Sequence, residues 1–339
     1  MNLIFSIFCI LFSVALTKLF CVFAQNTSLM DQPNERSLHL KPTIRGGGII
    51  FIGLPLIALP ILCEFTKTPV SEFYVLLISS VLLAVVSFLD DLYNLAVKSK
   101  FLVQLLVALL IVLFMRPNQL DFVLFSITNQ YIIAPFLFMT VLWAINHFNF
   151  MDGLDGFCAS QAMFLFAAYA LLFGLYGAVM YQDFCFIFIC SLVGFLIFNF
   201  PPAKLFMGDV GSATLGLIIF CMALIAQQKY QVPILFWLML NCLFLFDATV
   251  TLLRRIIKKE KWASPHRKHA YQRLRQFGVN ARTILFGQLV INSVFLVLVL
   301  LSRANMIHIG LLLLLELGFI SLMYYLIEKL FPMFQQVKS

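Results

Sequence analysis

Five aspartates stand out by their company. Asp90 and Asp91 adjoin in FLDDLYN, Asp152 and Asp155 share NFMDGLDG, and Asp209 lies in LFMGDVGS. Carboxylates gathered together repel and raise one another's pKa unless cations neutralise them. Hard divalent cations do this, and Mg²⁺ in particular is held by carboxylates, water and substrate phosphates. Gly153 and Gly156 flank Asp155, and Gly208 and Gly211 flank Asp209. Glycine lets backbone approach a ligand. One such spacing is equally a helix-packing feature in a membrane, but two of them, each bracketing an acid, carry more weight. A basic group completes the set. In SPHRKHAYQRLR, His266 and His269 are three apart and share a helix face, with Arg273 a turn further on. This cluster, with Arg267 inside it, suits a phosphorylated substrate. The preceding RRIIKKEK is expected to lie against anionic lipid headgroups.

The elements that position these residues are membrane helices. Of 339 residues, 62% are hydrophobic and 11% charged, and the mean hydropathy is +1.00. Soluble domains carry about a quarter charged residues. A soluble globule, a disordered chain, a disulfide-stapled secreted domain and a nucleic-acid binder are excluded. The long unbroken apolar runs also exclude an outer-membrane barrel, whose strands alternate. With roughly 20 residues needed per span, the runs predict eleven spans in a single all-α polytopic domain over residues 1–339. They are Leu3–Ala24, Gly46–Cys63, Phe73–Leu89, Phe101–Met115, Tyr131–Phe148, Phe157–Val179, Phe184–Phe200, Ala213–Gln228, Pro233–Leu252, Thr283–Ser302 and Asn305–Ile327. The first run is too long for a signal-peptide core, and no basic segment precedes it, so it reads as a retained span.

Charge orients the spans. The loops on one side, with the C-terminal tail, hold 18 Lys and Arg; the loops on the other hold 4. The richer side is expected to be cytoplasmic, with the N-terminus periplasmic and the C-terminus cytoplasmic. All five aspartates then fall at cytoplasmic ends of spans. The net charge of +8 reflects the same loops and calls for no nucleic-acid partner. The eight cysteines form no C-x-x-C pair and read as apolar fillers. Two acids lie inside spans. Asp247 is seven residues from Arg254 on roughly the same face, which predicts a pair between them. Glu316 has no partner legible in the sequence.

Together these segments resemble the polyprenyl-phosphate N-acetylhexosamine-1-phosphate transferases, a superfamily that includes muramoyl-pentapeptide transferase and the enzymes initiating O-antigen and enterobacterial common antigen. The resemblance runs from DQPNERSLHLKPTIRGGG to SPHRKHAYQRLR and takes in the DD pair, N-x-x-N-F-M-D-G-x-D-G and F-M-G-D-x-G-S in order. It implies Mg²⁺, or Mn²⁺, held by Asp209 with Asp90 and Asp91, the same three being catalytic. It implies a substrate site of Asn149, Asp152, Asp155, Asn199 and Phe206, with His266, Arg267 and His269 at phosphate and Phe206 stacked on uracil. HRKH stands where the muramoyl-pentapeptide enzymes have three adjacent histidines. That departure favours the branch transferring N-acetylglucosamine, N-acetylfucosamine or N-acetylquinovosamine.

The implied reaction has undecaprenyl phosphate attack the sugar-linked phosphorus of a UDP-N-acetyl sugar, releasing UMP. It initiates O-antigen or a related lipopolysaccharide-type polymer at the bacterial inner membrane. The implied partners are the UDP-sugar, the lipid phosphate and the bilayer, with a homodimer left open. The competing reading is a transporter or flippase for such substrates, but transporters usually place acids near the bilayer midplane and show internal repeats. The sequence shows no internal repeat, and Glu316, near the middle of the last span, is the acid that such a reading would have to use.

Overall fold

The computed structural model describes residues 3–25, 27–32, 42–66, 71–261, 264 and 266–334. Half of the N-terminal motif (residues 33–41) and Pro265 of the histidine motif lie outside the described residues. The long helices are α1 (Leu3–Ala24), α2 (Gly48–Thr66), α3 (Ser71–Tyr93), α4 (Val97–Phe114), α5 (Gln130–Phe150), α6 (Phe157–Leu175), α7 (Val179–Asn199) and α8 (Gly208–Tyr230). There follow α9 (Leu235–Leu240), α10 (Cys242–Ile257), α11 (Ala270–Gln276), α12 (Ala281–Arg303) and α13 (Ile309–Leu330). Two antiparallel hairpins of two-residue strands, β1 (Met30–Asp31) with β2 (Thr43–Ile44) and β3 (Leu120–Asp121) with β4 (Ser126–Ile127), decorate the bundle. The fold is all-α.

Ten of these helices, α1–α8, α12 and α13, are long and apolar enough to cross a membrane among the described residues. The ninth predicted span, Pro233–Leu252, is not one helix. It divides into α9 and α10 at Asn241, whose φ/ψ of −102°/9° leaves the helical region. Asparagine competes with the backbone for hydrogen bonds and is poorly suited to helix interiors. Here its side-chain nitrogen meets His147 Nε2 at 2.7 Å in the buried core. A break at such depth is tolerated only where protein surrounds it. The predicted second span survives Pro55 and Pro60 as one helix, α2.

The bundle is built around α8. Of its apolar window 94% is buried, against 17% for α1 and 22% for α13. Lipid offers little hydrophobic drive for helix association, so close packing at small residues does that work. A Cβ on Gly216 would collide with the carbonyl oxygen of Ala144 in α5, and a Cβ on Gly48 with the backbone of Gly211. The start of α2 therefore sits directly on the start of α8. Backbone bonds extend that contact: Phe206 N–H donates to Ile44 O at 2.7 Å, Gly47 N–H to Phe206 O at 3.0 Å and Gly48 N–H to Met207 O at 2.8 Å. The R-G-G-G run is thus what lets the second and eighth helices meet end to end.

This arrangement makes a test. Gly48→Ala should lower the thermal unfolding midpoint of the detergent-purified protein, because backbone rather than a flexible side chain must yield. A cost of about 1–3 kcal/mol is the usual scale of overpacking. An unchanged midpoint would mean that the α2–α8 junction is not tightly held.

Candidate active site

The five aspartates reach one end of the bundle from three places: the last turn of α3, the α5–α6 connection and the first turn of α8. A cavity of about 560 Å³ opens there. Of the residues singled out from the sequence, Asp91, Asn149, Asp152, Asp155, Asn199, Phe206 and Asp209 line it. Asp90, His266, Arg267 and His269 do not.

Asp91 and Asp209 are joined through the helix start. The Asp91 carboxylate accepts from the backbone N–H of Asp209 at 3.4 Å and of Val210 at 3.3 Å. The first N–H groups of a helix have no internal partner and carry the positive end of its dipole, so a carboxylate is stabilised there. Gly208 makes this possible. Its φ of +72° belongs to the left-handed region, and a Cβ would overlap the Asp91 carboxylate. Arg45 Nη2 donates to the Asp91 carbonyl at 2.6 Å and to Asn94 Oδ1 at 3.0 Å, which fixes the end of α3.

Asp90 points elsewhere. Lys100 Nζ lies 2.7 Å from its carboxylate and 3.4 Å from Asp209 Oδ2. The three expected metal ligands therefore do not converge as one set, because Asp90 is turned to Lys100 and Asp91 caps α8. Among the described residues, no three His, Cys, Asp or Glu side chains are arranged to hold a metal by themselves. Asp91, Asp152 and Asp209 nevertheless give the cavity an oxygen-only wall. Mg²⁺ takes one or two carboxylates and completes its shell with water and substrate phosphate. Burial, followed by the charges of Asp209, Asp91 and Asp155, holds the Asp152 carboxyl well above the usual carboxylate range. A surplus of negative charge is what a cation would relieve, so the donor set fits a hard cation.

Two residues expected at substrate are committed to the frame. Asn199 Oδ1 accepts from Gly156 N–H at 3.0 Å, and its Nδ2 donates to Leu205 O at 2.8 Å. Asp155 Oδ2 accepts from Ala203 N–H at 2.9 Å. Both tie the M-D-G-L-D-G loop to the segment leading into α8. Phe206 is half-buried on the cavity wall.

Other polar residues of the lining were not singled out in the sequence, and they make up a second wall, the basic and amide one. It consists of Gln272 and Arg275 from α11 and Asn280 and Arg282 at the start of α12, with Arg45 beside the acids. Arg45 had a signal in the glycine run that follows it. Arg275 closes the SPHRKHAYQRLR segment, but seven helical residues are too few to show which face is turned where.

The histidine motif lies behind this wall. His269 Nδ1 is 3.5 Å from Asp247 Oδ1, an ion-pair distance, and the same carboxylate accepts Ala270 N–H at 2.9–3.0 Å and the Thr251 hydroxyl at 3.0 Å. Asp247 thus anchors the start of α11 and does not pair with Arg254. Arg254 instead makes a two-pronged bond to Glu328 at 2.6 and 2.7 Å. Arg255 is 1% exposed and bonds to Glu260, Lys261 O and Ser264, while Lys268 pairs with Glu260. Both arginines of RRIIKKEK point into protein rather than at headgroups. Arg267 precedes α11 and accepts from Gln276 Nε2 through its carbonyl at 2.7 Å. Glu316 is buried in α13 beside Cys242, away from the cavity. All eight cysteines are free.

Fold and cavity together define a polytopic membrane enzyme with its polar chemistry at one end of the bundle. Residues 73–227 match the model of glycosyl transferase family 4. Over 296 residues the chain is 32% identical to the probable undecaprenyl-phosphate N-acetylglucosaminyl 1-phosphate transferase of Bacillus subtilis (strain 168), covering 83% of this chain and 79% of that protein. It is 28% identical to the undecaprenyl-phosphate alpha-N-acetylglucosaminyl 1-phosphate transferase of Yersinia pestis, over 81% of this chain and 77% of the relative. It is also 33% identical to a phospho-N-acetylmuramoyl-pentapeptide-transferase of Wolbachia (strain wRi), but over only 54% of this chain and 60% of the relative. The chain belongs to glycosyl transferase family 4, the polyprenyl-phosphate N-acetylhexosamine-1-phosphate transferase superfamily.

His266 supplies a pH test. Burial, with the nearby His269, Arg255 and Lys268, pushes its pKa down to about 3. The unfolded chain takes up a proton near the ordinary histidine value of about 6.5, while the folded protein does not until about pH 3. Its contribution is therefore fully present above pH ~6.5 and is lost as the pH falls below it. His266→Asn should flatten the decline in thermal midpoint between pH 7 and 5. A variant as acid-sensitive as the wild type would show that His266 is not held neutral.

Proposed function

We propose that the protein transfers an N-acetylhexosamine 1-phosphate from a UDP-sugar to undecaprenyl phosphate, giving a lipid-diphosphate sugar and UMP. The observation that carries this reading is the cavity that gathers Asp91, Asp152 and Asp209 with Gln272, Arg275 and Arg282. One wall has the donors for a cation and the other has donors for phosphate and sugar oxygens. Two relatives matched over 79% and 77% of their length are undecaprenyl-phosphate N-acetylglucosaminyl 1-phosphate transferases by name. N-acetylglucosamine is thus the first sugar to test, with N-acetylfucosamine and N-acetylquinovosamine beside it. The excess of Lys and Arg on the loops of the cavity end supports a cytoplasmic location for that end, at a bacterial inner membrane. A role in starting O-antigen or a similar envelope polymer goes with that reading.

In this mechanism Phe206 takes the uracil face, Arg275 and Arg282 hold phosphate oxygens, and Asn149 and Gln272 orient the sugar. An oxygen of the lipid phosphate bonds to the sugar-bearing phosphorus, the bond from that phosphorus to the bridging oxygen breaks, and UMP departs with that oxygen. Asp209 and Asp152 would hold Mg²⁺ or Mn²⁺, which would supply Lewis-acid charge neutralisation and a template for the diphosphate, with Asp91 fixing the start of α8 beside them. No strong base is required, since a phosphate monoester is largely dianionic near neutral pH, its second pKa being about 6. That suits Asp90 and Asp91, whose carboxylates are already held by Lys100 and by the start of α8. Bringing two anions together on fixed elements is the main contribution of the chain.

The lipid tail needs an apolar path that reaches this cavity. A groove of about 210 Å³ lies on the other face of α11, lined by Leu243, Phe246, Leu274, Ile284, Gly287 and Met323 among others. A Cβ on Gly287 would meet nothing within 4 Å. Gly287→Phe should fill the groove and raise KM for undecaprenyl phosphate by roughly tenfold, the equivalent of about two unburied methylenes, with KM for the UDP-sugar unchanged. An unaffected lipid KM would put the tail elsewhere.

The deciding experiment is UMP release by purified protein with undecaprenyl phosphate and a panel of UDP-N-acetylhexosamines. UMP should appear with one of them, stop with EDTA and return with Mg²⁺ or Mn²⁺. Asp209→Asn keeps the size but removes the charge, and should lower turnover by at least ~10²-fold while the protein stays folded. Normal turnover in that variant, or indifference to EDTA, would overturn the cation-assisted reading and move a transporter of these substrates ahead.

A further inference from the structure

Helix α11 has seven residues and presents three faces. Gln272 and Arg275 turn to the cavity, and Tyr271 and Leu274 turn to the apolar groove. Arg273, only 3% exposed, turns to the end of α13. A helix this short has no stability of its own, so tertiary contacts decide where each face points. Asp247 holds its first N–H, and the Tyr271 ring packs on Phe157 at 4.8 Å. Neither contact sets the rotation of its last turn, where Arg275 lies.

Glu328 does. In the last turns of α13, its carboxylate takes Arg254 of α10 through both oxygens, Arg273 Nη1 at 2.6 Å and Met333 N–H at 3.3 Å. Arg273 Nη1 also donates to Phe331 O at 2.7 Å, and Phe277, just past α11, stacks on Phe331 at 4.6 Å. A buried guanidinium that loses its carboxylate is strongly disfavoured in place, so Arg273 stays inward only while Glu328 is charged and present. Turning Arg273 outward would rotate Arg275, two residues on, off the cavity wall. Arg275 has no carboxylate partner among the described residues, which leaves its guanidinium available to an anion.

We propose that Glu328 is a positioning residue for sugar-phosphate transfer, holding α11 through Arg273 so that Arg275 meets the phosphates of the UDP-sugar. This rests on the function proposed above. The alternative is that Glu328 merely staples α13 to α10. The two differ in how Glu328 and Arg275 combine, since residues acting through one another are not additive.

The test compares Glu328→Gln, Arg275→Ala and the double variant by steady-state UMP release, using the UDP-N-acetylhexosamine the wild type accepts. Each single change should raise KM for the UDP-sugar by roughly tenfold, about one charge-assisted hydrogen bond, with kcat changed much less. The double variant should be no worse than Arg275→Ala alone. Effects that multiply, or an unchanged KM in Glu328→Gln, would overturn the inference. If Glu328→Gln does not fold, Glu328→Asp, which keeps the charge on a shorter arm, takes its place in the same comparison, and the same results support or overturn the role of Glu328. A wild type that releases no UMP from any UDP-sugar defeats the proposed function itself, whereas a wild type that turns over with multiplicative variants defeats only the role of Glu328.

Discussion

The contact on which the site depends is the Asp91 carboxylate seated on the first N–H groups of α8. It joins the end of one buried helix to the start of the most buried one, and it forms only because Gly208 has no side chain and a left-handed φ. Two consequences follow. The helix dipole and the two N–H bonds offset part of what burial and the charge of Asp209 cost this carboxylate, so it can stand beside the other acids of the cavity. The same start of α8 must also be open enough for Gly48 to rest on Gly211, which brings Arg45 to the cavity rim. Moving any one of these groups moves the others.

Around that contact some of the polar residues that line the cavity also hold its frame. Asn199 and Asp155 were expected at substrate, yet their bonds run to backbone N–H and C=O groups of the flanking loops. Buried loop backbone must find partners, and at a membrane face short side chains with two-sided hydrogen bonding are the economical source. Asp90 follows the same logic. Its partner Lys100 also reaches Asp209, so a cation already balances the side of the cluster that faces the start of α4.

The helices were legible because the bilayer imposes a length and a composition on each. Leu3–Ala24 came out at its expected bounds, and the others differ by a few residues at their ends. The split at Asn241 was not legible, since hydropathy averaged over a window does not register one buried amide. The acids of the cavity could be read because glycine and asparagine mark them as loop residues at span ends. Their bonding could not be read. Lys100 and Asp209 are 109 positions apart, and Arg273 and Glu328 are 55 apart, separations at which periodicity carries no information. The pairing of Asp247 with Arg254 followed from helical spacing alone. It failed because a helix N-terminus and a carboxylate on a neighbouring helix were better partners.

The two-sided character of α11 bears on why such chemistry is housed in a membrane bundle at all. A lipid phosphate has a head that must be dry enough to react and charged enough to be recognised, and a tail that must leave the aqueous cavity at once. A thick wall between polar and apolar compartments would separate head from tail. One short helix, with Gln272 and Arg275 on one face and Tyr271 and Leu274 on another, is a thin partition, and the N–H groups that so short a helix leaves unpaired need partners such as Asp247. The cost of so thin an element is that it cannot hold itself in place. Ion pairs at its back, with the Arg273 guanidinium buried, are then a requirement of the geometry rather than an ornament of the basic loop.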